Sequence, residues 1–428
     1  MQRPDLAALA AARSSGRRGA GKRAAIALRA TAWDTFSQQP ARRPRGERFD
    51  MQDLVVIGGG VWGVSAAKAA VDEGAGVLLL ETRLGVGSEA TAKAGGIVTD
   101  LLWNAEDQAW VEESRRLYAA TSEWARDATM LQRLGMVTLA DPRRHHLLKA
   151  QAAALQERGI PAELCTLNEL AHEFPDLSVV APDSLGLWLP GDWHVNPTQY
   201  CQIVADQARR QGVEIRTDHR VRRLRIEAGA VVLEGPGEPI RARRVLIAAG
   251  AWTRRLVATA GLDLPLRPYR VQLASLAIEP GHHFPMVWDL ATDTYIVPDG
   301  PRAMLAGDGT RLWEHDPDTY DQNGDRDFLD GLAEHVPTLV AAGAQAHVVS
   351  SWAGAVGATP DRRPLLGFLD ERVAVACGDN GFGVMRGPAI GRLAGRMAMG
   401  AESVRPHLDP KRLPPSEFAI RPGFTLEA

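Results

Sequence analysis

The sequence predicts a mixed α/β fold, and three observations support this. A strand, a glycine-rich turn, a helix and a second strand follow one another between residues 53 and 81. Segments with alternating apolar residues fill much of the middle of the chain, and a second glycine-rich turn lies near its end. The chain has 428 residues, 45% of them apolar, which is enough for more than one compact domain.

The first element is the apolar run 54–57, whose length and composition are typical of a buried parallel strand. The turn that follows, Gly58–Gly63, reads GGGVWG and fits the pattern GxGxxG. Gly58 allows a tight turn, and Gly60 has no Cβ to keep a pyrophosphate away from the backbone. Gly63 lets the next helix lie close to the strand.

The helix after this turn offers unpaired N–H groups and the positive end of its dipole to phosphates. Glycines at 74 and 76 end the helix, and the strand VLLLE then finishes with Glu81. A carboxylate at this position accepts hydrogen bonds from an adenosine ribose and repels a 2′-phosphate, so NADP is disfavoured. The unit taken alone leaves FAD and NAD open.

Three later segments favour a flavin. The loop 85–98 (GVGSEATAKAGGIV) is rich in small residues, and the predicted strand at 245–248 ends in the small residues AGA before Trp252. The segment 373–400 predicts a strand, a turn with three glycines and a helix whose N-terminus points into the cofactor site. Reduced flavin carries negative charge near its pyrimidine ring, which such a helix end stabilises. No second convincing unit for NAD(P)H occurs.

Charge and composition exclude other classes of protein. The net charge of −3 argues against nucleic-acid binding, and no apolar run approaches the ~20 residues of a membrane span. The cysteines at 165, 201 and 377 form neither a CxxC nor a zinc pattern, so we expect no metal and a reducing, cytoplasmic setting.

Residues 1–50 differ from the rest of the chain. They carry eleven Lys and Arg against four Asp and Glu, with few large apolar side chains. This composition predicts a basic, disordered N-terminal extension. An upstream translation start before Met51 is the simpler explanation, and a basic partner-binding arm is the alternative. Arg17-Arg18 could suggest export, but Arg29 interrupts the apolar run that follows.

These motifs resemble, in order, those of the FAD-dependent D-amino-acid oxidase, glycine oxidase and sarcosine oxidase family. The stretches that carry the resemblance are VVIGGGVWG with LLLE, GSEATAKAGGIV, GDWHVNPTQYCQIVADQARRQGVEI, RVLIAAGAWTRRL, LPLRPYRVQ, WAGAVGATPDRRPLLG and GDNGFGVMRGPAIG. The resemblance implies a Rossmann-like FAD-binding domain interleaved with an antiparallel-sheet substrate domain. The implied segments are 51–133, 194–264 and 350–405 for the FAD domain, 134–193 and 265–349 for the substrate domain, and 406–428 for a C-terminal tail.

The resemblance also implies a reaction. An amine or amino-acid substrate would lose hydride from the carbon next to nitrogen to flavin N5, and the imine would hydrolyse. Oxygen or another acceptor would then take the electrons. The alternatives are a hydroxy-acid or polyol-phosphate dehydrogenase of the same fold, or a flavin subunit that passes electrons to a protein partner.

The resemblance assigns candidate site residues. Residues expected to bind FAD are Gly58, Gly60, Val61, Trp62, Gly63, Glu81, Thr82, Ser88, Ala94, Gly95, Gly96, Val221, Ala249, Gly250, Trp252, Gly381, Phe382, Gly383, Val384 and Met385. The catalytic candidates are Arg386 and Lys93, as cations for a substrate carboxylate, and Tyr295, as an aromatic facing the substrate. The cysteine that carries flavin in the sarcosine oxidase branch would fall near Ala355, so FAD is expected to be non-covalent.

Overall fold

The structure is a computed structural model that describes residues 51–102, 105–178, 183–309, 312–314 and 316–415. The predicted disordered extension at 1–50 lies outside the described residues, as does most of the predicted tail at 406–428. No helix in the described part of the chain is both long enough and apolar enough to cross a bilayer.

The helices alternate with strands along the chain. Those in the described residues are α1 (Val61–Asp72), α2 (Ala105–Ala125), α3 (His145–Glu157), α4 (Leu167–Glu173), α5 (Pro197–Arg210), α6 (Thr253–Ala258), α7 (Arg326–Leu339) and α8 (Gly383–Ala398).

The strands form three sheets. In chain order they are β1 (Gln52–Ile57), β2 (Val77–Leu80), β3 (Ile97–Val98), β4 (Leu131–Gln132), β5 (Met136–Ala140), β6 (Glu163–Thr166), β7 (Leu185–Leu189), β8 (Trp193–Val195), β9 (Glu214–Arg216), β10 (Arg223–Glu227), β11 (Ala230–Glu234), β12 (Ile240–Ile247), β13 (Arg267–Ala277), β14 (Met286–Asp289), β15 (Tyr295–Pro298), β16 (Ala303–Gly307), β17 (Leu312–Trp313), β18 (His347–Ala358), β19 (Leu365–Asp370) and β20 (Val373–Cys377).

The first sheet has the order β10-β11-β12-β1-β2-β9, and β20 pairs with both β12 and β19. The pairs β12–β1, β1–β2, β2–β9 and β12–β20 are parallel. The carboxyl ends of β1, β2, β12 and β20 therefore meet at one edge of the sheet, where ligands of open α/β sheets bind. The predicted Rossmann-like unit is confirmed in β1, α1 and β2.

The second sheet has the order β17-β13-β16-β15-β14-β5-β7-β6, with β18 beside β13. It is antiparallel except for the pair β14–β5. The antiparallel sheet that the resemblance implies is confirmed in β13, β15 and β16, which lie within the predicted segment 265–349. Strands β3, β8 and β4 form a small third sheet.

Helices α1 and α8 pack closely because α8 carries glycine every fourth residue. A Cβ at Gly387 would approach Val61 to 2.7 Å, and a Cβ at Gly391 would lie 2.4 Å from the main-chain oxygen of Trp62. A Cβ at Gly395 would lie 2.2 Å from the main-chain oxygen of Ala66. Only glycine permits this approach, which brings the N-termini of the two helices together.

Candidate active site

A cavity of about 660 Å³ extends from the carboxyl ends of the parallel strands to the second sheet. Its walls come from the glycine-rich turn before α1, the loop 82–97, the turns after β12 and β20, and strands β13, β14 and β15. Its volume lies within the range of about 300–1,000 Å³ that is typical of cofactor and ligand pockets. The same cavity therefore contacts both large sheets.

Glu81 lines the cavity at the carboxyl end of the parallel sheet, directly after β2. Its carboxylate accepts hydrogen bonds from the N–H of Gly59 at 2.6 Å and from the N–H of Arg83 at 2.7 Å. Burial raises the pKa of Glu81, while these two hydrogen bonds oppose the increase. The carboxylate is thus fixed beside the glycine-rich turn, where an acceptor for ribose hydroxyls is needed.

Gly58 and Gly63 adopt the tight turn and the close packing that their spacing predicts. Gly58 has a φ of +107°, and a Cβ at Gly63 would lie 1.8 Å from the main-chain oxygen of Gly58. A Cβ at Gly60 would meet only the hydroxyl of Thr91 within 4 Å. The first turn of α1 contains no acidic residue that would repel an anion.

The N-terminus of α8 also reaches the cavity. The indole N–H of Trp62 donates to the main-chain oxygen of Gly383 at 2.9 Å, and the hydroxyl of Tyr118 donates to that of Val384 at 2.9 Å. These bonds hold the first turn of α8 in place, and Gly381, Gly383, Val384 and Met385 line the cavity.

The residues of the cavity fit an FAD molecule. Gly250 has a φ of +51°, and a Cβ built on it would meet no atom within 4 Å. Since Gly250 lines the cavity, that Cβ would occupy cavity space. Small residues therefore leave room along the wall, two helix N-termini face the cavity, and one carboxylate lies at its nucleotide-binding end.

Most of the residues expected to bind FAD line this cavity. They are Gly58, Gly60, Val61, Trp62, Glu81, Thr82, Ser88, Ala94, Gly95, Gly96, Val221, Ala249, Gly250, Trp252, Gly381, Gly383, Val384 and Met385. Gly63 and Phe382 do not line it. Gly63 instead serves the packing of α1 on the strand.

Arg386, a predicted catalytic residue, does not line the cavity, and its side chain is buried between α8 and α2. The guanidinium forms an ion pair with Asp107 of α2, and the two side chains are 2% and 10% exposed. It also donates to the main-chain oxygen of Asp379 at 3.0 Å, and it lies over the ring of Phe382. Arg386 therefore links α2 to α8.

Lys93 lies in the cavity wall. Its ammonium group is 2.7 Å from the hydroxyl of Tyr320, 3.1 Å from the side-chain oxygen of Gln322 and 3.4 Å from Glu89. The indole of Trp352 donates to its main-chain oxygen at 3.0 Å. The ammonium is therefore held in one position at the cavity.

Tyr295 also lines the cavity, from strand β15 of the second sheet. A Cβ at Gly95 would lie 3.4 Å from its ring, so Tyr295 closes the cavity next to the loop that carries Lys93. Tyr269 and Trp288 extend this aromatic wall. The structure thus brings Lys93 and Tyr295 together and leaves Arg386 apart.

Sequence reasoning missed several residues of the cavity. Thr91 accepts a hydrogen bond from the N–H of Val61 at 3.2 Å, which joins the loop to the start of α1. Asp293, whose carboxylate accepts the indole N–H of Trp288 at 2.9 Å, and Asp308 line the end at the second sheet. Asp379 lies beside the start of α8. The turn GDNGFG signals only the glycines, so nothing in the pattern indicated that this carboxylate faces a cavity.

An ion-pair cluster lies at the cavity's edge, around Asp318. Its carboxylate accepts hydrogen bonds from Trp252 at 2.8 Å, Arg220 at 2.5 Å and Arg255 at 2.7 Å. The segment that carries Asp318 also supplies Tyr320, which contacts Lys93. This segment therefore closes one side of the cavity.

Together, the parallel sheet, the glycine-rich turn with its acid and the adjoining antiparallel sheet define a two-sheet flavoprotein of the α/β class. The profile of the DAO family, described as FAD dependent oxidoreductase, matches residues 53–397. The chain belongs to this family. It is an FAD-dependent oxidoreductase, and the sequence-based resemblance is confirmed.

Its relatives include enzymes that act on different amines. The chain is 26% identical to a glycine oxidase of Geobacillus kaustophilus over 80% of this chain and 91% of that protein. It is 27% identical to 4-methylaminobutanoate oxidase (formaldehyde-forming) of Paenarthrobacter nicotinovorans, over 79% of this chain. It is 25% identical to the mitochondrial dimethylglycine dehydrogenase of Rattus norvegicus, over 80% of this chain. In each of the last two comparisons the match spans 42% of the relative's length.

Solved structures show the same fold. Glycine oxidase from Geobacillus kaustophilus aligns with a TM-score of 0.76 and 24% identity, over 85% of this chain and 99% of that chain. L-proline dehydrogenase from P. horikoshii aligns with a TM-score of 0.77 and 24% identity, over 85% of this chain and 98% of that chain. At this identity the structural likeness concerns the fold.

Proposed function

We propose that the protein oxidises the C–N bond of an amino acid or an N-substituted amino acid. The carbon next to nitrogen would lose hydride to flavin N5, and the resulting imine would hydrolyse. The observation that carries this proposal is the single cavity that joins the nucleotide-binding turns to the second sheet. It lets one protein hold FAD and present a small substrate to it.

The residues that would hold FAD follow from their positions. Glu81 would bind the adenosine ribose, and the N-terminus of α1 would bind the pyrophosphate. The N-terminus of α8 would lie at the pyrimidine ring, where it favours negative charge. FAD supplies the two-electron chemistry, while the protein supplies orientation and electrostatics.

Lys93 would bind the substrate carboxylate in place of Arg386. Tyr320 and Gln322 already orient its ammonium group, so little side-chain freedom is lost when a carboxylate binds. Tyr295 would close the site over the substrate and exclude water. A fixed carboxylate aligns the reacting C–H bond with the cofactor, which lowers the entropic part of the barrier.

The negative charge at the second-sheet end of the cavity argues against the alternative, a polyol-phosphate substrate. Asp293 and Asp308 line this end, and carboxylates repel a phosphate dianion. A carboxylate paired with an amine has no net charge and suffers less repulsion. The charges in the cavity and its position between the two sheets therefore both support an amine substrate.

Anaerobic mixing with a panel of amino acids, N-methyl amino acids and matched hydroxy acids tests the proposal. We expect an amine with a carboxylate to bleach the flavin absorbance, while the matched hydroxy acid does not. Bleaching by hydroxy acids alone would replace the amine reaction with the alternative. The rate at which air restores the colour then separates an oxidase from an enzyme that uses another acceptor.

Two variants test the substrate site. Lys93→Met should raise KM and slow flavin reduction together, because the carboxylate loses both binding and alignment. The control is Lys149→Met, which removes an exposed lysine of α3 that does not line the cavity. If Lys93→Met reduces its flavin like the parent, with the same substrate dependence, Lys93 does not bind the carboxylate.

A further inference from the structure

Asp379 is a carboxylate in the wall of the cavity, in the turn between β20 and α8. One oxygen accepts a hydrogen bond from the N–H of Gly357 at 3.0 Å. The other lies over the start of α8, since a Cβ at Gly383 would be 2.9 Å from it. The residue is half-buried, and it borders the cavity. Asp379 therefore borders the region that the proposed function assigns to the pyrimidine ring.

The charged groups around Asp379 leave its charge incompletely balanced. From α8, Arg386 contacts its main-chain oxygen, but the guanidinium is paired with Asp107 of α2. From β20, Cys377 faces it, and burial keeps that thiol protonated by raising its pKa. From β18, only the N–H of Gly357 reaches it.

The protonation of Asp379 is therefore easy to change. Removal from water raises its pKa to about 6, although the N–H of Gly357 and the charge of Arg386 both act to lower it. A like charge placed nearby raises the pKa of a carboxylate further. Reduced flavin, bound as proposed, would place such a charge beside the same helix end.

We propose that Asp379 takes up one proton from solvent each time FAD bound in this cavity is reduced. This inference rests on the proposed position of the flavin. The substrate C–H bond breaks, and its hydrogen and electron pair go to flavin N5. The amine proton leaves to solvent. Asp379 changes from carboxylate to carboxylic acid without any transfer of electrons to it, and it releases the proton when the flavin is reoxidised.

The protein should therefore take up more protons per reduced flavin than the flavin alone would. Reduction to the anionic form takes up one proton for two electrons, whereas reduction coupled to Asp379 takes up two. Asp379 and the flavin then titrate as a coupled pair. Between the pKa of Asp379 in the oxidised protein and its higher pKa in the reduced protein, the midpoint potential should fall twice as steeply with pH as for one proton.

Spectroelectrochemical titration of the FAD-loaded protein from about pH 7 to pH 8.5 measures this slope. We expect the two-proton slope in the parent protein. Asp379→Asn keeps an acceptor for Gly357 but cannot titrate, so its slope should be half as large. Asp192→Asn is the matched control, because it removes another buried acid that lies outside the cavity wall. Its slope should equal that of the parent.

A one-proton slope in the parent protein would overturn the inference, as would equal slopes in the parent and Asp379→Asn. If Asp379→Asn does not retain FAD, proton uptake by the parent on photoreduction, followed with a pH indicator, decides the question alone. Two protons per flavin support the inference, and one contradicts it. None of these measurements needs a substrate. A protein with the two-proton slope that oxidises no amine would refute the proposed function and leave this inference intact.

Discussion

Replacement of Arg386 by Met should destabilise the protein and leave the substrate site in place. The Arg386 side chain is 2% exposed and that of its partner Asp107 is 10% exposed. Removal of the guanidinium leaves the Asp107 carboxylate buried without its cation, and breaking a buried pair in this way costs about 3–5 kcal/mol. The main-chain oxygen of Asp379 also loses a donor. We therefore expect the free energy of unfolding to fall by at least about 3 kcal/mol.

Urea unfolding followed by fluorescence measures this change, provided that the parent and the variant have the same slope. Arg392→Met is the matched control on the same helix. Arg392 is 50% exposed and pairs with Glu113 at the surface. Exposed pairs of this kind contribute about 0–1 kcal/mol. The double variant Asp107→Asn with Arg386→Met removes both charges, so it should be more stable than Arg386→Met alone.

One result would refute this reasoning. If Arg386→Met unfolds at the same urea concentration as Arg392→Met, the ion pair with Asp107 does not stabilise the fold. If the same variant also shows a raised KM and slower flavin reduction, Arg386 binds the substrate carboxylate after all. A structural role for Arg386 thus predicts lower stability with unchanged kinetics. A substrate role predicts unchanged stability with a raised KM and slower flavin reduction.

Three further predictions concern the cofactor site, the N-terminal segment and pH. Gly60→Val places a side chain in the turn before α1, so the purified variant should contain much less FAD than the parent, as measured by absorbance. Glu81→Gln should weaken FAD binding by about 1.5–3 kcal/mol, because a charged acceptor is lost. A chain that begins at Met51 should keep its FAD and melt at a similar temperature, and loss of flavin would contradict this. Burial raises the pKa of Asp192 to about 7, against the opposing charge of Arg115. Because the folded-state pKa lies above the unfolded value of about 3.9, this group's stabilising contribution is complete below about pH 4 and is lost towards pH 7. Asp192→Asn should therefore lose less stability than the parent between pH 4 and pH 7, as measured by thermal unfolding.

The nucleotide-binding unit could be predicted from the sequence because its signals are local. Strand, glycines, helix and acid follow one another within a short segment, and each has a physical role that depends on near neighbours. The positions of Gly58, Gly63 and Glu81 agree with those roles. The antiparallel pattern of β13, β15 and β16 was equally readable, since its alternation reports one buried face.

The orientation of Arg386 could not be predicted in the same way. Successive residues on a helix point about 100° apart, so Met385 can face the cavity while Arg386 faces the interior. The partner that decides between these faces is Asp107, which is 279 residues away in the sequence. Two of the three residues that contact the Lys93 ammonium, Tyr320 and Gln322, are similarly remote. Contacts of this range leave no trace in a local pattern.

The cavity wall is made from both ends of the described chain, and this has a consequence for the order of synthesis. Gly58 and Glu81 are synthesised about 300 residues before Gly383 and Met385, which complete the same wall. At about 5–20 residues per second the two parts are separated by tens of seconds. During that interval the nascent chain contains α1 but not yet α8. The complete wall that would hold FAD can therefore form only after α8 has been synthesised.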